Sequence, residues 1–194
     1  MAHLLLASAS PRRRELLEQI GVSFICKAQD IDETPLPSEL PGEYVERLAC
    51  EKAEQGAKGS AIPVLGSDTC VVLDGEILSK PENEADACAM LSRLSGRSHH
   101  VLTAIAVCLA TDDQPKTTSQ VVSTGVQFMP LSAQQIQDYV ATGEPMDKAG
   151  SYGIQGKAAV FVAGIEGSYS NVVGLPLMET AQLLQQYNVP VWSC

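Results

Sequence analysis

The chain has 194 residues, a length that suits one domain or two closely joined lobes. Hydrophobic residues make up 45% of it, an ordinary share for a globular protein, whereas aromatic residues make up only 5%. The formal net charge of −10, from 23 acidic and 13 basic residues, argues against a nucleic acid or an anionic membrane as the partner, although a small anionic substrate remains compatible with it.

The cysteines and the apolar segments bear on where the protein works. The six cysteines include no C-x-x-C pair and no metal-finger spacing, so we expect inert, reduced thiols. The apolar run His3–Ala7 is too short for a signal sequence, and the arginines follow it instead of preceding it. No stretch approaches the roughly 20 apolar residues that span a membrane. We therefore expect a cytoplasmic protein.

Apolar periodicity divides the chain into alternating strands and helices. In chain order, the first half contains a strand at Leu4–Ala7, a helix at Pro11–Ile20, a strand at Val22–Lys27, a helix at Glu43–Ala57, a strand at Ile62–Leu73 and a helix at Asn83–Leu94. The second half contains strands at Val101–Ala110 and Val121–Met129 in an antiparallel hairpin, a helix at Ala133–Ala141, a strand at Val160–Ile165 and a helix at Leu177–Tyr187. The alternation predicts an α/β fold with a mixed sheet.

Three arginines occupy the start of the first predicted helix. Ser10 suits the N-cap position and Pro11 the first helical position. The first turn then carries Arg12, Arg13 and Arg14, which face the positive end of the helix dipole at a cost of very roughly 0.3–1 kcal/mol each. An anion bound there by backbone N–H groups, hydroxyls and guanidinium groups would explain the placement. Arginines that are merely solvated are the alternative.

One carboxylate interrupts the apolar strand at Ile62–Leu73. By strand alternation, Asp68 shares a face with Val64, Cys70 and Val72. A buried carboxylate is costly unless it is paired, hydrogen-bonded or bound to a metal. Asp68 is therefore a candidate general base or metal ligand. The alternatives are a structural ion pair and a point at which the strand locally emerges from the core.

Lys52 lies on or beside the inward face of the predicted helix Glu43–Ala57. It follows Val45 by seven residues and Leu48 by four, which is helical spacing for one face. A lysine in this position either extends outward along the surface, the commoner outcome, or points into a polar site.

An acidic segment opens the proline-rich loop from Asp30 to Gly42. Asp30, Asp32 and Glu33 could converge with Asp68 on a hard cation such as Mg²⁺ or Mn²⁺. A solvated acidic turn is the alternative, and spacing alone favours it. Loops of this length are nevertheless often functional.

Taken together, these segments resemble the Maf family of nucleotide pyrophosphatases. The matching blocks run in order through the whole chain: LLLASASPRRRELL, DIDET, ERLACEKA, LGSDTCVVLDGEILSKP, MLSRLSGRSHHVLTA, GEPMDKAGSYGIQG and GSYSNVVGLPL. One departure is Ala104, where many relatives have glycine. It lies in a predicted strand, away from the residues that carry the chemistry.

The resemblance implies a single domain over residues 1–194, with a two-lobed α/β fold around a long, bent mixed sheet and the active site in the cleft between the lobes. It also implies roles for individual residues and a divalent metal, Mg²⁺ or Mn²⁺. The implied roles are catalysis for Asp68, phosphate binding for Ser8, Arg13, Lys52 and Lys80, and metal binding for Glu33 and Asp68.

Three further positions resemble the family's determinants of nucleotide preference. Arg12, Thr69 and Gln155 have the form of the subgroup that hydrolyses dTTP and UTP. The subgroup that acts on 7-methyl-GTP has tryptophan, glutamine and glutamate at these positions. The resemblance thus implies a pyrophosphatase for dTTP, UTP and modified pyrimidine nucleotides such as 5-methyl-UTP.

Two other functions are compatible with the same residues. A metal-dependent nucleotidyltransferase would need a basic helix start and a metal-binding carboxylate, but it would require an acceptor other than water. A non-catalytic nucleotide-binding regulator of cell division would bind the nucleotide without releasing pyrophosphate. For each function the partner is a small nucleotide, neither a nucleic acid nor a membrane, and a homodimer is compatible with the resemblance.

Overall fold

The computed structural model of the protein describes residues 2–111 and 114–192. The strands within these residues are β1 (Leu4–Leu6), β2 (Phe24–Cys26), β3 (Val64–Leu73), β4 (Glu76–Leu78), β5 (Ser98–Leu109), β6 (Lys116–Phe128) and β7 (Val162–Glu166). The α-helices are α1 (Pro11–Gln19), α2 (Pro41–Ala57), α3 (Glu84–Leu94), α4 (Ala133–Val140), α5 (Tyr169–Val173) and α6 (Leu177–Gln186). Short 3₁₀ helices follow α4 at Glu144–Asp147, Ala149–Ser151 and Lys157–Phe161.

All seven strands belong to one mixed sheet. Its order is β2-β1-β3-β5-β6-β7, and β4 pairs with β3 beside this path. The pairs of β1 with β2 and of β1 with β3 are parallel. The pairs of β3 with β4 and of β6 with β7 are antiparallel. Parallel strands need a crossover connection, which α1 and α2 supply, whereas the antiparallel pair of β3 and β4 needs only a tight turn. The predicted mixed sheet with flanking helices is confirmed.

Strand β3 is buried along almost its whole length. Only Thr69 is half-exposed among its ten residues. A strand covered on both faces is expected to be nearly continuously apolar, and the apolar residues of β3 agree. Ser67 and Asp68 are the polar exceptions, at 0% and 9% exposure.

Helix α2 lies unusually close to β3. Its inward face is apolar and fully buried at Val45, Leu48, Ala49 and Ala53. Opposite this face stands Gly66 of β3. A methyl group in place of its hydrogen would overlap the carbonyl oxygen of Ala49 and would lie 2.7 Å from the backbone nitrogen of Ala53. The missing side chain therefore permits the close approach of helix and strand.

The chain divides into two compact units, each built from separate segments. The first unit comprises Met1–Asp68, Thr103–Val122 and Gly174–Cys194, and the second comprises Thr69–Leu102 and Ser123–Val173. Apolar side chains fill the core of the first unit, among them Leu6, Leu17, Leu48, Leu65, Ile105 and Leu184. The core of the second unit is partly aromatic. In it, Phe128 meets His99 and Tyr152 edge to face, with ring centroids 5.0 Å and 4.8 Å away.

The predicted elements are all present, with shifts of a few residues at their ends. The largest shift at a helix start is in α2, which begins at Pro41 and not at Glu43, because proline occupies the first helical turn. Gly96 has the left-handed conformation expected after the end of α3, with φ of 67°. Ser10 holds the N-cap position of α1, but its side chain makes no capping hydrogen bond. The short elements β4 and α5 and the three 3₁₀ helices were not predicted.

Candidate active site

Three charged side chains of the first unit form a linked ion-pair cluster. The ammonium nitrogen of Lys52 lies 2.7 Å from Oδ1 of Asp68 and 2.6 Å from Oε1 of Glu33. Lys52 and Asp68 are 8% and 9% exposed, so their pair is almost withdrawn from water. The side chain of Glu33 is 54% exposed and covers the pair from the solvent side. A buried carboxylate needs a partner of this kind, and Lys52 supplies it for Asp68.

Helix α2 directs Lys52 inward instead of along the surface. Lys52 follows Leu48 by one turn, and both are buried against the sheet. Because Gly66 lets α2 approach β3, the lysine reaches Asp68, two residues further along the strand. The commoner outcome, an outward-extended lysine, therefore does not apply here. The ion pair, which the sequence left as one alternative for Asp68, is present.

Backbone and side-chain contacts hold the acidic loop against α2. The Tyr44 hydroxyl donates to the backbone oxygen of Glu33 over 3.0 Å. Arg47 donates from Nε and Nη2 to the two carboxylate oxygens of Glu39, over 2.6 Å and 2.8 Å. It also donates to the backbone oxygen of Thr34 over 3.2 Å. Bidentate pairs between arginine and a carboxylate have a fixed geometry. Together with the Tyr44 contact, this pair holds the loop so that Glu33 faces Lys52 in a defined position.

Arg13 is anchored at the start of α1 by two acceptors. Its Nε donates to the carbonyl oxygen of Gly174 over 2.9 Å, and its Nη1 donates to the hydroxyl of Ser8 over 3.2 Å. The buried hydroxyl of Ser67 donates to the same Gly174 oxygen over 3.3 Å. The backbone N–H of Ser10 also donates to Ser8, over 3.2 Å. The structure therefore brings Ser8 and Arg13 into direct contact.

The charges of this region act on one another. Burial lowers the pKa of Arg13, and the positive charge of Arg12 lowers it further, while the carboxylates of Asp68 and Glu33 oppose both effects. An arginine remains a cation throughout the accessible pH range. Arg13 and Lys52 thus share one region of the first unit with the carboxylates of Glu33 and Asp68, the residues that the sequence predicted for phosphate and metal.

The remaining predicted residues belong to the first turn of α1 and to the second unit. Arg12 is half-exposed on α1, and Thr69 is half-exposed on β3 directly after Asp68. Lys80 is exposed just after β4, where the backbone oxygen of Ser79 accepts from Gly150 N–H over 3.1 Å.

Gln155 occupies the exposed corner of a tight turn in the second unit. The backbone N–H of Gly156 donates to the oxygen of Gly153 over 3.0 Å and closes the turn. Ile154 is buried at the first corner of the turn, whereas Gln155 is exposed at the second. The amide of Gln155 is therefore presented outward from an anchored backbone.

Sequence reasoning missed the residues that orient the predicted ones. Tyr44, Ser67 and Gly174 bind backbone or guanidinium groups through contacts between segments far apart in the chain, and no local spacing indicates them. Among residues 2–111 and 114–192, no group of three or more His, Cys, Asp or Glu side chains is arranged to hold a metal by itself. In the same residues, no helix is both long enough and apolar enough to cross a bilayer.

The Maf-like protein family matches residues 3–187 of the chain. The chain belongs to this family. A dTTP/UTP pyrophosphatase of Symbiobacterium thermophilum is 51% identical and is covered over 98% of its length by 100% of this chain. A dTTP/UTP pyrophosphatase of Shewanella sp. is 56% identical and is covered over 99% of its length by 96% of this chain.

Similarity to solved structures is weaker. A HAM1 protein from Coxiella burnetii is 20% identical, with coverage of 96% of this chain and 100% of that one and a TM-score of 0.48. The family membership thus rests on sequence, and it agrees with the resemblance that the seven sequence blocks carry.

Proposed function

We propose that this Maf-family protein hydrolyses dTTP and UTP to the nucleoside monophosphate and pyrophosphate. The supporting observation is the buried Asp68 carboxylate, which is paired with Lys52 and whose negative charge acts on nearby Arg13. Relatives that are 51% and 56% identical over nearly their full lengths carry the name dTTP/UTP pyrophosphatase. Modified pyrimidine nucleotides such as 5-methyl-UTP fit the same proposal, because a pocket that admits the methyl group of thymine has room for it.

In the proposed reaction Asp68 orients a water molecule and accepts its proton during in-line attack at the α-phosphorus. The bond between the water oxygen and phosphorus forms as the bond to the bridging oxygen of pyrophosphate breaks. Asp68 suits this role because Lys52 fixes its carboxylate at 2.7 Å and the strand prevents it from moving. A general base must be held within hydrogen-bonding reach of the proton that it takes.

Cationic groups compensate the charge of the triphosphate. Arg13 and Ser8, joined at the start of α1, would bind phosphate oxygens with a guanidinium group and a hydroxyl. Lys52 and Lys80 would add two ammonium charges for the leaving pyrophosphate. Positive charge fixed before the reaction stabilises the charge that develops on the leaving group.

Glu33 and Asp68 fit a divalent cation. Both carboxylates contact one ammonium nitrogen, so they converge on a position that a positive charge already occupies. Mg²⁺ commonly binds through one or two carboxylates, with water and substrate phosphates completing the shell, so a larger protein cluster is not required. A Mg²⁺ or Mn²⁺ ion bound there would neutralise part of the negative charge of the phosphates.

For base recognition we propose Arg12, Thr69 and Gln155. The amide of Gln155 offers both an N–H donor group and an oxygen acceptor, which matches the O4 and N3–H edge of uracil or thymine without burial of a charge. Cytosine reverses this pattern at N3 and N4, so CTP is expected to be a poorer substrate. The exposed position of Gln155 on its turn supports this role.

We further propose that residues 1–194 act as one functional domain. The family match extends over residues 3–187, and each compact unit combines segments that are distant in the chain. A homodimer and a cytoplasmic location stay predictions from the sequence.

A panel of nucleotides tests the proposal. Purified protein is incubated with dTTP, UTP, CTP, 5-methyl-UTP and 7-methyl-GTP, in Mg²⁺ or Mn²⁺ and in EDTA, and monophosphate and pyrophosphate are quantified. We expect stoichiometric release of both products from dTTP and UTP without any added acceptor, and none in EDTA. Nucleotide binding without pyrophosphate release would support a regulatory protein, and a requirement for an acceptor would support a nucleotidyltransferase.

A further inference from the structure

The turn that carries Gln155 is tied at both ends to one side chain outside it, Glu144. At the far end, the backbone N–H of Lys157 donates to Oε2 of Glu144 over 3.0 Å. The N–H of Ala158 makes a further hydrogen bond to the same carboxylate. These N–H groups open the 3₁₀ helix Lys157–Phe161 and lack partners within it, so the carboxylate satisfies them.

The near end of the turn is connected to the same carboxylate through Tyr139. The Tyr139 hydroxyl donates to Oε1 of Glu144 over 3.0 Å and accepts from the backbone N–H of Gly153. Tyr139 is 5% exposed, and its ring lies edge to face with Phe161 at a centroid distance of 5.1 Å. The hydroxyl is therefore held in place by a packed ring and can transmit the position of Glu144 to Gly153.

Gly156 shows how closely Glu144 approaches the turn. A methyl group at Gly156 would overlap Oε1 of Glu144 and would lie 2.7 Å from Oε2. Burial acts to raise the pKa of Glu144, but the hydrogen bonds from Lys157, Tyr139 and Ala158 outweigh it, so this pKa lies below its ordinary value. Glu144 is accordingly a carboxylate at neutral pH, with both oxygens at the Gly156 end of the turn and with Oε1 linked to Gly153 through the Tyr139 hydroxyl.

We infer that Glu144 is a positioning residue for base selection: its carboxylate fixes the Gly153–Gly156 turn and thereby the direction in which the Gln155 amide points. The inference rests on the proposed role of Gln155 in reading the base. Glu144 does not touch the substrate in this scheme. It acts on discrimination between bases and takes no part in the phosphate chemistry.

The variant Glu144→Gln tests the inference, because it keeps the size of the side chain but can accept strongly at only one end of the turn. The readout is the ratio of kcat/KM for UTP to that for CTP. We expect this ratio to fall about 3- to 10-fold, the size of one weakened hydrogen bond in the orienting network. Tyr139→Phe keeps the packed ring and removes the link to Gly153, so it should lower the ratio in the same direction.

Two comparisons separate this role from a general structural one. Asp138→Asn makes the same charge change one residue from Tyr139, at an exposed position whose hydrogen bond is to Gln134 on its own helix, and should leave the ratio unchanged. In a Gln155→Ala background, Glu144→Gln should produce no further change in the ratio. The thermal midpoint of each variant confirms that the folded protein is being assayed.

The outcomes distinguish failure of the inference from failure of the proposed function. If Gln155→Ala lowers the ratio and Glu144→Gln does not, the inference is overturned and the role of Gln155 stands. An equal effect of Glu144→Gln with and without Gln155 also overturns it, since Glu144 would then act elsewhere. If Gln155→Ala leaves the ratio unchanged, the base-reading role is wrong and the inference falls with it.

Discussion

Arg13 at the start of α1 donates its Nε hydrogen to the carbonyl oxygen of Gly174 over 2.9 Å, across 161 residues of sequence. The backbone just before α6 therefore sets the orientation of the guanidinium group. Ser67, the neighbour of Asp68 on β3, donates to the same oxygen. Arg13, which we propose to bind phosphate, and the strand that carries Asp68 are thus anchored through one shared acceptor.

Removal of the Arg13 or Lys80 side chain should weaken the binding of all triphosphates to a similar extent. Phosphate contacts carry no information about the base, so Arg13→Ala and Lys80→Ala should raise KM for dTTP, UTP and CTP by similar factors, about tenfold or more for each lost charge-assisted contact. Steady-state kinetics on the three nucleotides measures this. A change confined to one nucleotide would instead place that residue at the base.

Asp68→Asn should fold and bind nucleotide but turn over at least about 10²-fold more slowly, the usual scale for loss of a general base. Asparagine keeps the size of the side chain and can still accept a hydrogen bond from Lys52. Calorimetric binding of dTTP together with kcat separates the two effects. A kcat near that of the wild type would make Asp68 a purely structural partner of Lys52.

Replacement of Lys52 should make stability depend on a divalent cation. In Lys52→Met the carboxylates of Glu33 and Asp68 lose the ammonium group that both contact, and like charges at close range repel. We expect a lower thermal midpoint in EDTA and a larger rise on addition of Mg²⁺ than in the wild type. Lys58→Met, at the exposed end of α2, is the matched control. Equal Mg²⁺ shifts in both variants would contradict a cation site at Glu33 and Asp68.

The pair of Glu39 and Arg47 should make the acidic loop sensitive to acid. The hydrogen bonds from Arg47 are the largest cause that lowers the pKa of Glu39 from its ordinary 4.5 to about 2. The folded protein therefore keeps this carboxylate ionised where the unfolded chain takes up a proton, so the stabilisation is present above about pH 4.5 and is lost as pH falls towards 2. Urea unfolding of wild type and Glu39→Gln should show a stability difference that shrinks over this range. A difference that stays constant from pH 5 to 2.5 would refute it.

The combined change Arg12→Trp, Thr69→Gln and Gln155→Glu should redirect base preference. An anionic partner and an aromatic surface suit the cationic base of 7-methyl-GTP better than a neutral pyrimidine. We expect lower kcat/KM for dTTP and higher kcat/KM for 7-methyl-GTP. An unchanged preference in the triple variant would contradict the assignment of these three residues.

Sequence reasoning reached the elements and the charged residues but not their mutual contacts. Periodicity locates β3 and α2, and rule-breaking residues such as Asp68 and the first-turn arginines stand out because isolated charge in an apolar or dipolar setting is costly. The direction of the Lys52 side chain could not be predicted from the sequence, because it depends on how closely α2 approaches β3. Arg13 contacts the carbonyl oxygen of Gly174, and the backbone of Glu33 is held by Tyr44. Contacts between separate elements leave no periodic signal in the sequence.

The missing side chain at Gly66 fixes the reach of Lys52. Any larger residue there would push α2 away from β3 at Ala49 and Ala53, which lie on either side of the lysine in the helix. The displaced ammonium group would then separate from a carboxylate that the strand keeps in place. We expect Gly66→Ala to retain its secondary structure. The distance between Lys52 Nζ and Asp68 Oδ1 should lengthen, and turnover should change with it. In this protein the hydrogen atom of Gly66 thus sets the spacing on which an ion pair depends.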